Sequence, residues 1–322
     1  MVVALTDEKI NKILEQTGQQ KNKSFASWLK EKQAAGLNYY FTPNIYFVCW
    51  SIAKKIHNED MDHVTVVTGL EGTGKSTLTS MLAVTVSPSM SITHVCYEPK
   101  DFFNALKVCK KGDSIWIDEG ALFLFSRQST SKNSVNVVKL LSVIRQLNLH
   151  IIICIPNFFT IDSYVREHRV SSLFYLTARG KFHYIPRKTV LFIANACKKS
   201  KNILQYPLKK GTFMYGSYNH DFGELNDLTK ASYLARKTDN MKEFMESLEQ
   251  SFNDAEASAK IDNSPQFISV KDAADRLALN PETIRNKIKE GTIKALRIGQ
   301  GQKGKMVIDR EYFESVVANG IV

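Results

Sequence analysis

The sequence predicts an α/β protein: a parallel β-sheet covered by helices on both faces, followed by a small C-terminal helix-turn-helix domain with a β wing. Three observations carry that expectation. Apolar runs alternate with helical patterns in the order β-α-β-α-β between residues 41 and 200, the order of a parallel sheet wrapped by helices. The first run, His63–Thr68 (HVTVVT), is continuous rather than alternating, as suits a strand buried on both faces. After a polar stretch at Ser251–Pro265, helical periodicity returns around a turn at Leu279-Asn280-Pro281.

Composition sets the bounds. The 322 residues are enough for a sizeable core and a second unit. With 43% hydrophobic and 23% charged residues the chain is not wholly disordered, and 16 Gly with 8 Pro exclude a collagen-like sequence. The longest apolar stretch, around His150–Ile161, is broken by Pro156 and Asn157, so no membrane span of about 20 apolar residues is expected. The N-terminus has no basic segment followed by an apolar one, so no secretory leader is expected. Cys49, Cys96, Cys109, Cys154 and Cys197 are odd in number and lack C-x-x-C spacing. They suggest neither a zinc site nor a disulfide framework, but a reducing, intracellular setting, expected to be cytoplasmic. Lys and Arg number 43 against 32 Asp and Glu, a net charge of +11. Such an excess attracts polyanions through counterion release, or simply aids solubility.

The elements follow in order. Residues 1–40 read as an N-terminal helical arm with an apolar stripe of Phe25, Trp28 and Leu29. Residues 41–225 read as the main domain. Its strands are His63–Thr68, Thr93–Tyr97, Ser114–Ile117 and Ile151–Ile155; its helices run about Lys75–Val84, Lys100–Lys107 and Val135–Leu147. A basic, strand-rich extension follows, with strands expected at Leu173–Thr177, Phe182–Ile185, Val190–Ala194 and Phe213–Tyr218. Residues 226–265 read as a helix to about 252 and then a polar linker. Residues 266–322 form the last domain.

Gly69-Leu-Glu-Gly-Thr-Gly-Lys-Ser76 matches G-x-x-x-x-G-K-[ST] between a strand and a helix. Glycines allow positive φ and close approach of backbone N–H groups to phosphate oxygens, and the helix N-terminus adds its positive dipole end. The candidate nucleotide-binding residues are Gly69, Gly72, Thr73, Gly74, Lys75, Ser76 and Thr77. Lys75 is expected on the β- and γ-phosphates, Ser76 on Mg²⁺ and Thr77 on the α-phosphate. Glu71 is expected to point outward. The nucleotide is expected to be ATP, with Mg²⁺.

Ser114-Ile-Trp-Ile-Asp118-Glu119 is an apolar strand ending in two carboxylates. Asp118 is expected to hold the Mg²⁺ water shell and Glu119 to act as general base toward the attacking water. The guanine-reading motif N-K-x-D is absent. A strand between phosphate loop and acidic strand, with the adjacent Glu, points to a P-loop NTPase of the additional-strand, catalytic-glutamate type. Asn157, just past strand Ile151–Ile155, is the sensor candidate. Arg169, then Arg145, are candidates for an arginine that reaches a neighbouring subunit's γ-phosphate.

Around these motifs the chain resembles a family. The phosphate loop, Ile117-Asp-Glu-Gly-Ala-Leu-Phe with Ser126-Arg127, Ile144-Arg-Gln-Leu-Asn-Leu-His-Ile-Ile-Ile-Cys-Ile-Pro-Asn-Phe-Phe and Ile161-Asp-Ser-Tyr-Val-Arg-Glu-His-Arg-Val are similar to the zonular occludens toxin-like ATPases of viruses and mobile elements. These are relatives of the FtsK–HerA DNA-pumping motors. The resemblance covers roughly residues 60–180 and implies a ring, expected to be hexameric, driven by ATP. Filamentous-phage members carry a membrane segment that this chain lacks, and FtsK–HerA motors commonly have Gln where Pro156-Asn157 stands.

In the last domain Ser269 is placed to cap a helix over Val270–Leu277, and Pro281 to open a second helix. Ile284 and Ile288 face inward, leaving Thr283, Arg285, Asn286 and Lys289 outward for a major groove. Ile293–Ile298 and Lys305–Ile308 form a wing around Gly299-Gln-Gly-Gln-Lys-Gly304, so Lys303 and Lys305 are candidate phosphate contacts. This segment resembles the winged helix-turn-helix modules of phage excisionases and MerR-like regulators, which implies duplex DNA as partner. In the middle of the chain, Arg179, Lys181, Arg187 and Lys188 surround Phe182, His183 and Tyr184, with Lys198, Lys199, Lys201, Lys209 and Lys210 after them. That pattern suits either a nucleic-acid track or a strand edge guarded by lysines; the stretch Ser126–Ser134, with Arg127 and Lys132, suits a ring channel or a flexible loop. Three functions fit: an ATP-hydrolysing DNA motor for packaging, transfer or translocation, with other virion or mobile-element proteins as further partners; a replicative helicase, initiator or loader; or an ATP-switched DNA-binding regulator or partition factor.

Overall fold

Strands β1 (His63–Gly69), β2 (Val95–Cys96), β3 (Ser114–Ile117), β4 (His150–Ile155), β5 (Val170–Ala178), β6 (Lys181–Pro186) and β7 (Met214–Ser217) join in one sheet, in the order β2-β3-β4-β1-β5-β6-β7. The computed structural model of the protein describes residues 5–37, 39, 41–118, 144–203, 213–219, 221–262, 266–298 and 305–319, without the side chains of 251, 254–262, 297, 298 and 305. Two units result, Met1–Lys237 and Thr238–Val322, and the sheet belongs to the first. β2, β3, β4, β1 and β5 run parallel, while β6 and β7 continue antiparallel from β5. In space the strand between β1 and β3 is β4; β2, which lies between them in the chain, is the sheet edge.

Both faces are covered, and the period-two alternation of each strand divides its side chains between them. Val67, Trp116, Ile152 and Phe174 join one cluster, shared with helices α1 (Asp7–Gln16), α2 (Lys23–Ala34), α3 (Pro43–Asn58) and α4 (Lys75–Val86). Val64, Val66, Ile115, Ile117, Ile151 and Ile153 join the other, shared with α5 (Pro99–Val108) and α6 (Arg187–Ala196). Full burial of each such side chain is favourable by about 1.5–3 kcal/mol. Local signals set the helix starts: Thr6 accepts from Lys9 N at 3.4 Å, Asn22 from Phe25 N at 3.0 Å, and α3 and α5 open on proline. Phe25 and Leu29 are wholly buried, so α2 is part of the main core.

The structure corrects three expectations. Val190–Ala194 is not a strand but the centre of α6. Thr189, Val190, Ile193 and Ala194 are buried while Phe192 is exposed, which is helical spacing. The polar stretch after 252 is not a linker up to Asp262: helix α7 runs from Lys230 to Asp262. Its last turns interleave Ala255, Ala257 and Ala259 with Glu256 and Lys260, all strong helix formers, so a polar stretch can still be helical. Of the expected helix Val135–Leu147, Ile144–Leu147 is a 3₁₀ turn, and the remainder lies outside the described residues.

The second unit contains the rest of α7, β8 (Phe267–Ser269), α8 (Val270–Arg276), α9 (Pro281–Lys289), β9 (Leu296–Ile298), β10 (Lys305–Asp309) and α10 (Arg310–Ala318). The strands pair antiparallel in the order β8-β10-β9. Ile268, Ala273, Ala274, Ile284, Ile293, Ile308 and Phe313 form its core. Ser269 accepts from Asp272 N at 3.1 Å and Asn280 from Glu282 N at 2.9 Å, capping α8 and α9.

Candidate nucleotide site

The loop between β1 and α4 has the backbone its sequence calls for. Gly72 and Gly74 have φ of 74° and 90°, the left-handed region where a side chain is disfavoured. A Cβ on Gly69 would stand 2.8 Å from the Leu176 carbonyl oxygen, and one on Gly74 would stand 2.7 Å from Tyr218 Oη. Tyr218 Oη donates to the carbonyls of Thr73 (3.2 Å) and Gly74 (3.0 Å), pinning the loop to the end of β7. Thr73 Oγ1 closes the turn on Leu70 O at 2.7 Å.

Lys75 Nζ donates to Gly69 O at 3.1 Å and Leu70 O at 3.0 Å, so its ammonium curls over the loop. Ser76 Oγ donates to Asp118 Oδ1 at 3.3 Å. Asp118 follows β3, and its backbone N–H bonds to Cys96 O at 2.9 Å. The carboxylate is almost wholly buried, at 1% exposure. It survives there on three donors: Ser76, Tyr233 Oη at 2.7 Å to Oδ2, and Lys237 Nζ at 3.0 Å to the same oxygen. A cavity of about 440 Å³ opens over these groups, lined by Gly72, Gly74, Lys75, Ser76, Thr77 and Asp118 together with Cys154, Pro156 and Lys237. Glu71 is exposed and also borders it. Burial raises the Cys154 thiol well above its usual range, so it lines the floor as a neutral group.

The other sequence candidates fall elsewhere. Asn157 is exposed just past β4, on the loop's edge of the sheet, where Thr68 Oγ1 ties β1 to Pro156 O at 3.1 Å. Its Oδ1 accepts from Phe159 N at 2.9 Å and caps a 3₁₀ turn. Arg169 ion-pairs with Asp62 ahead of β5, and Arg145 is exposed ahead of β4. Both lie at the amino edge of the parallel strands, roughly 20 Å of strand away from the loop. Glu119 lies outside the described residues, as do Arg127, Lys132, Lys209, Lys210 and Lys303. Lys305 is in β10 without a described side chain. In the basic extension, Phe182 is buried and Arg187 donates to the Val170 and Glu167 carbonyls, so these two groups serve packing. In the second unit Arg285, Asn286 and Lys289 are exposed on α9 and Thr283 is half-buried; Arg285 pairs with Glu282 at 2.7 Å.

Tyr218, Tyr233 and Lys237 are missed by the sequence reading. They reach the site from just past β7 and from α7, 100 residues or more beyond Asp118, and no spacing rule links them to it. A second cluster, His94, Cys109 and Asp113, has ligand-type atoms within 4.8 Å of one another. Its chemistry does not suit a metal. His94 Nδ1 accepts from Ser91 N at 3.3 Å, which leaves the ring proton on Nε2. Asp113 accepts from Ser89 and Lys110, and burial pushes the Cys109 thiol up to about 12. The cluster is a hydrogen-bonded corner.

No family model matches the chain. It is 35% identical over 69 residues to the Holliday junction branch migration complex subunit RuvB of Mycoplasma genitalium, and 33% identical over 69 residues to that of Mycoplasma pneumoniae. Each match covers 21% of this chain and 22% of the relative, so the chain spans about a fifth of the length of the curated relatives it matches. The mostly parallel sheet and these partial similarities are consistent with a P-loop NTPase-like fold. Among the described residues no helix is long and apolar enough to cross a membrane.

Proposed function

We propose that the chain is an ATP-hydrolysing DNA motor of a virus or mobile element, of the additional-strand, catalytic-glutamate type, working as an oligomeric ring on duplex DNA in the cytoplasm. The observation that carries the reading is the meeting of Ser76 and Asp118 at 3.3 Å beneath the glycine loop, delivered by two strands with β4 between them. That donor set fits a magnesium–nucleotide: a hydroxyl and a carboxylate side by side, an ammonium at Lys75, and backbone N–H groups opened by Gly72 and Gly74. Ser76 and Asp118 would hold Mg²⁺, which would neutralise phosphate charge. Lys75 would bind the β- and γ-phosphates, and Gly69, Thr73 and Thr77 would complete the cradle. Glu119, the residue after Asp118, would take the proton of the attacking water. Asn157 stands on the loop's edge of the sheet, as a γ-phosphate sensor requires. Arg169 or Arg145, being remote from their own loop, would act only on a neighbour's nucleotide.

Two observations support DNA as the partner. The similar relatives are named for branch migration at Holliday junctions. The second unit, with its paired helices α8 and α9 and the β9–β10 hairpin, suits a winged helix-turn-helix in which Arg285, Asn286 and Lys289 are exposed on α9. ATP turnover with and without duplex DNA, measured on the wild type, Lys75→Ala and Glu119→Gln with sizing in ATP, tests the motor. Stimulation by DNA that both variants lose, in a ring-sized species, supports it. Tight ATP-dependent DNA binding without stimulated turnover would replace it with the ATP-switched regulator.

A further inference from the structure

Asp118 is held by a cation of the chain's own. Lys237 and Tyr233 stand four residues apart on the first turns of α7, and both donate to Asp118 Oδ2, at 3.0 and 2.7 Å. Lys237 Nζ lies 3.3 Å from Tyr233 Oη as well. The Tyr233 ring stacks on Trp116 of β3 with centroids 4.9 Å apart and planes at 14°, and its edge of the helix is fixed further by Arg236 pairing with Asp101 at 3.0 Å. Placement on this acid is therefore built by the start of α7 as a whole. Asp118 is 1% exposed, whereas the Lys237 side chain is 37% exposed and borders the nucleotide cavity. A buried carboxylate needs a counter-charge, and a lysine on a flexible stem can supply one and also leave.

A divalent ion and an ammonium cannot both sit on one small carboxylate without strong mutual repulsion. We infer that Lys237 competes with the divalent ion for Asp118: its ammonium holds the acid until the metal–nucleotide binds, and binding displaces it, so the start of α7 responds to the state of the site. This rests on the nucleotide reading above. Tyr233 is the positioning residue of the pair, since its phenol keeps a neutral donor on Oδ2 whichever cation is present.

The test is binding of a fluorescent ADP analogue to the full chain across a series of Mg²⁺ concentrations, for the wild type, Lys237→Met and Lys237→Arg. Lys237→Met is expected to lower the Mg²⁺ concentration for half-maximal binding by about tenfold, as removal of a close like charge should. Lys237→Arg keeps the wild-type midpoint. An unchanged or higher midpoint in Lys237→Met overturns the inference. Amide exchange on the wild type alone gives a second reading: protection over Lys230–Lys237 falls when Mg²⁺ and ADP are added, and unchanged protection also overturns it. A wild type that binds no ADP at any Mg²⁺ concentration removes the nucleotide reading itself, a different failure from bound ADP with an unshifted midpoint.

Discussion

At Gly74 three demands meet in one residue. Its φ of 90° excludes an easy side chain, its carbonyl accepts from Tyr218 Oη at 3.0 Å, and a Cβ there would stand 2.7 Å from that oxygen. Gly74→Ala should therefore cost about 1–3 kcal/mol of local strain and displace the tyrosine, weakening ADP binding more than it lowers the melting temperature. Titration calorimetry beside thermal denaturation separates the two effects. Lys75→Ala is the contrasting case. Its ammonium bonds the carbonyls of Gly69 and Leu70 at the loop surface, so stability should be unchanged while turnover falls by ~10²–10³-fold, the scale for removing one donor that stabilises the transition state. A Lys75→Ala variant that turns over ATP normally would contradict the assignment of the loop.

At the scale of elements, β1, β4, β5 and β3 share a buried polar seam at the edge opposite the loop. His63 Nε2 pairs with Ser172 Oγ at 3.0 Å, Thr65 Oγ1 with His150 Nε2 at 3.0 Å, and His150 Nδ1 with Ser114 Oγ at 3.2 Å. Burial, and secondarily Lys55, pulls the His63 imidazole down to about 3, and burial pulls His150 well below its usual range. Both rings are thus neutral in the fold, and protonation favours the unfolded chain. Stability from His63 is complete above pH 6.5 and is lost as pH falls from there toward 3. By pH 5 the loss from this ring alone is about 2 kcal/mol, which denaturant midpoints at pH 7.5 and pH 5 would register. His63→Gln should remove part of that acid limb. The seam also shows what sequence can and cannot reveal. β1, β3 and β4 are legible because, outside the seam, strands buried on both faces hold little but apolar and β-branched residues, and the loop is legible because its tight turn restricts Gly72 and Gly74 to glycine. Val190–Ala194 misleads because a five-residue apolar run fits a buried strand and a helix equally well; only the exposure of Phe192 separates them. Tyr218, Tyr233 and Lys237 are invisible because their role depends on where distant elements pack.

At the scale of the molecule, the proposed duplex DNA partner would divide the net charge of +11 between general attraction and binding at defined places. The second unit offers a sharp division. Arg285 is half exposed but spends part of its charge on Glu282 at 2.7 Å, whereas Lys289 is exposed near the end of α9. If α9 lies against duplex DNA, each phosphate left without its cation should reduce the slope of log affinity against log salt by about 0.9. Lys289→Ala is then expected to lower that slope by about this amount and to weaken all duplexes alike. Asn286→Ala is expected to leave the slope in place and to narrow the difference between sequences, since a side-chain amide reads base edges rather than charge. Affinities of the full chain for two unrelated duplexes, each at four salt concentrations, separate these outcomes. A Lys289→Ala slope equal to the wild type, with Asn286→Ala discriminating between duplexes as before, would move the DNA-binding surface away from α9, and the exposed lysines around the main sheet would then carry the polyanion.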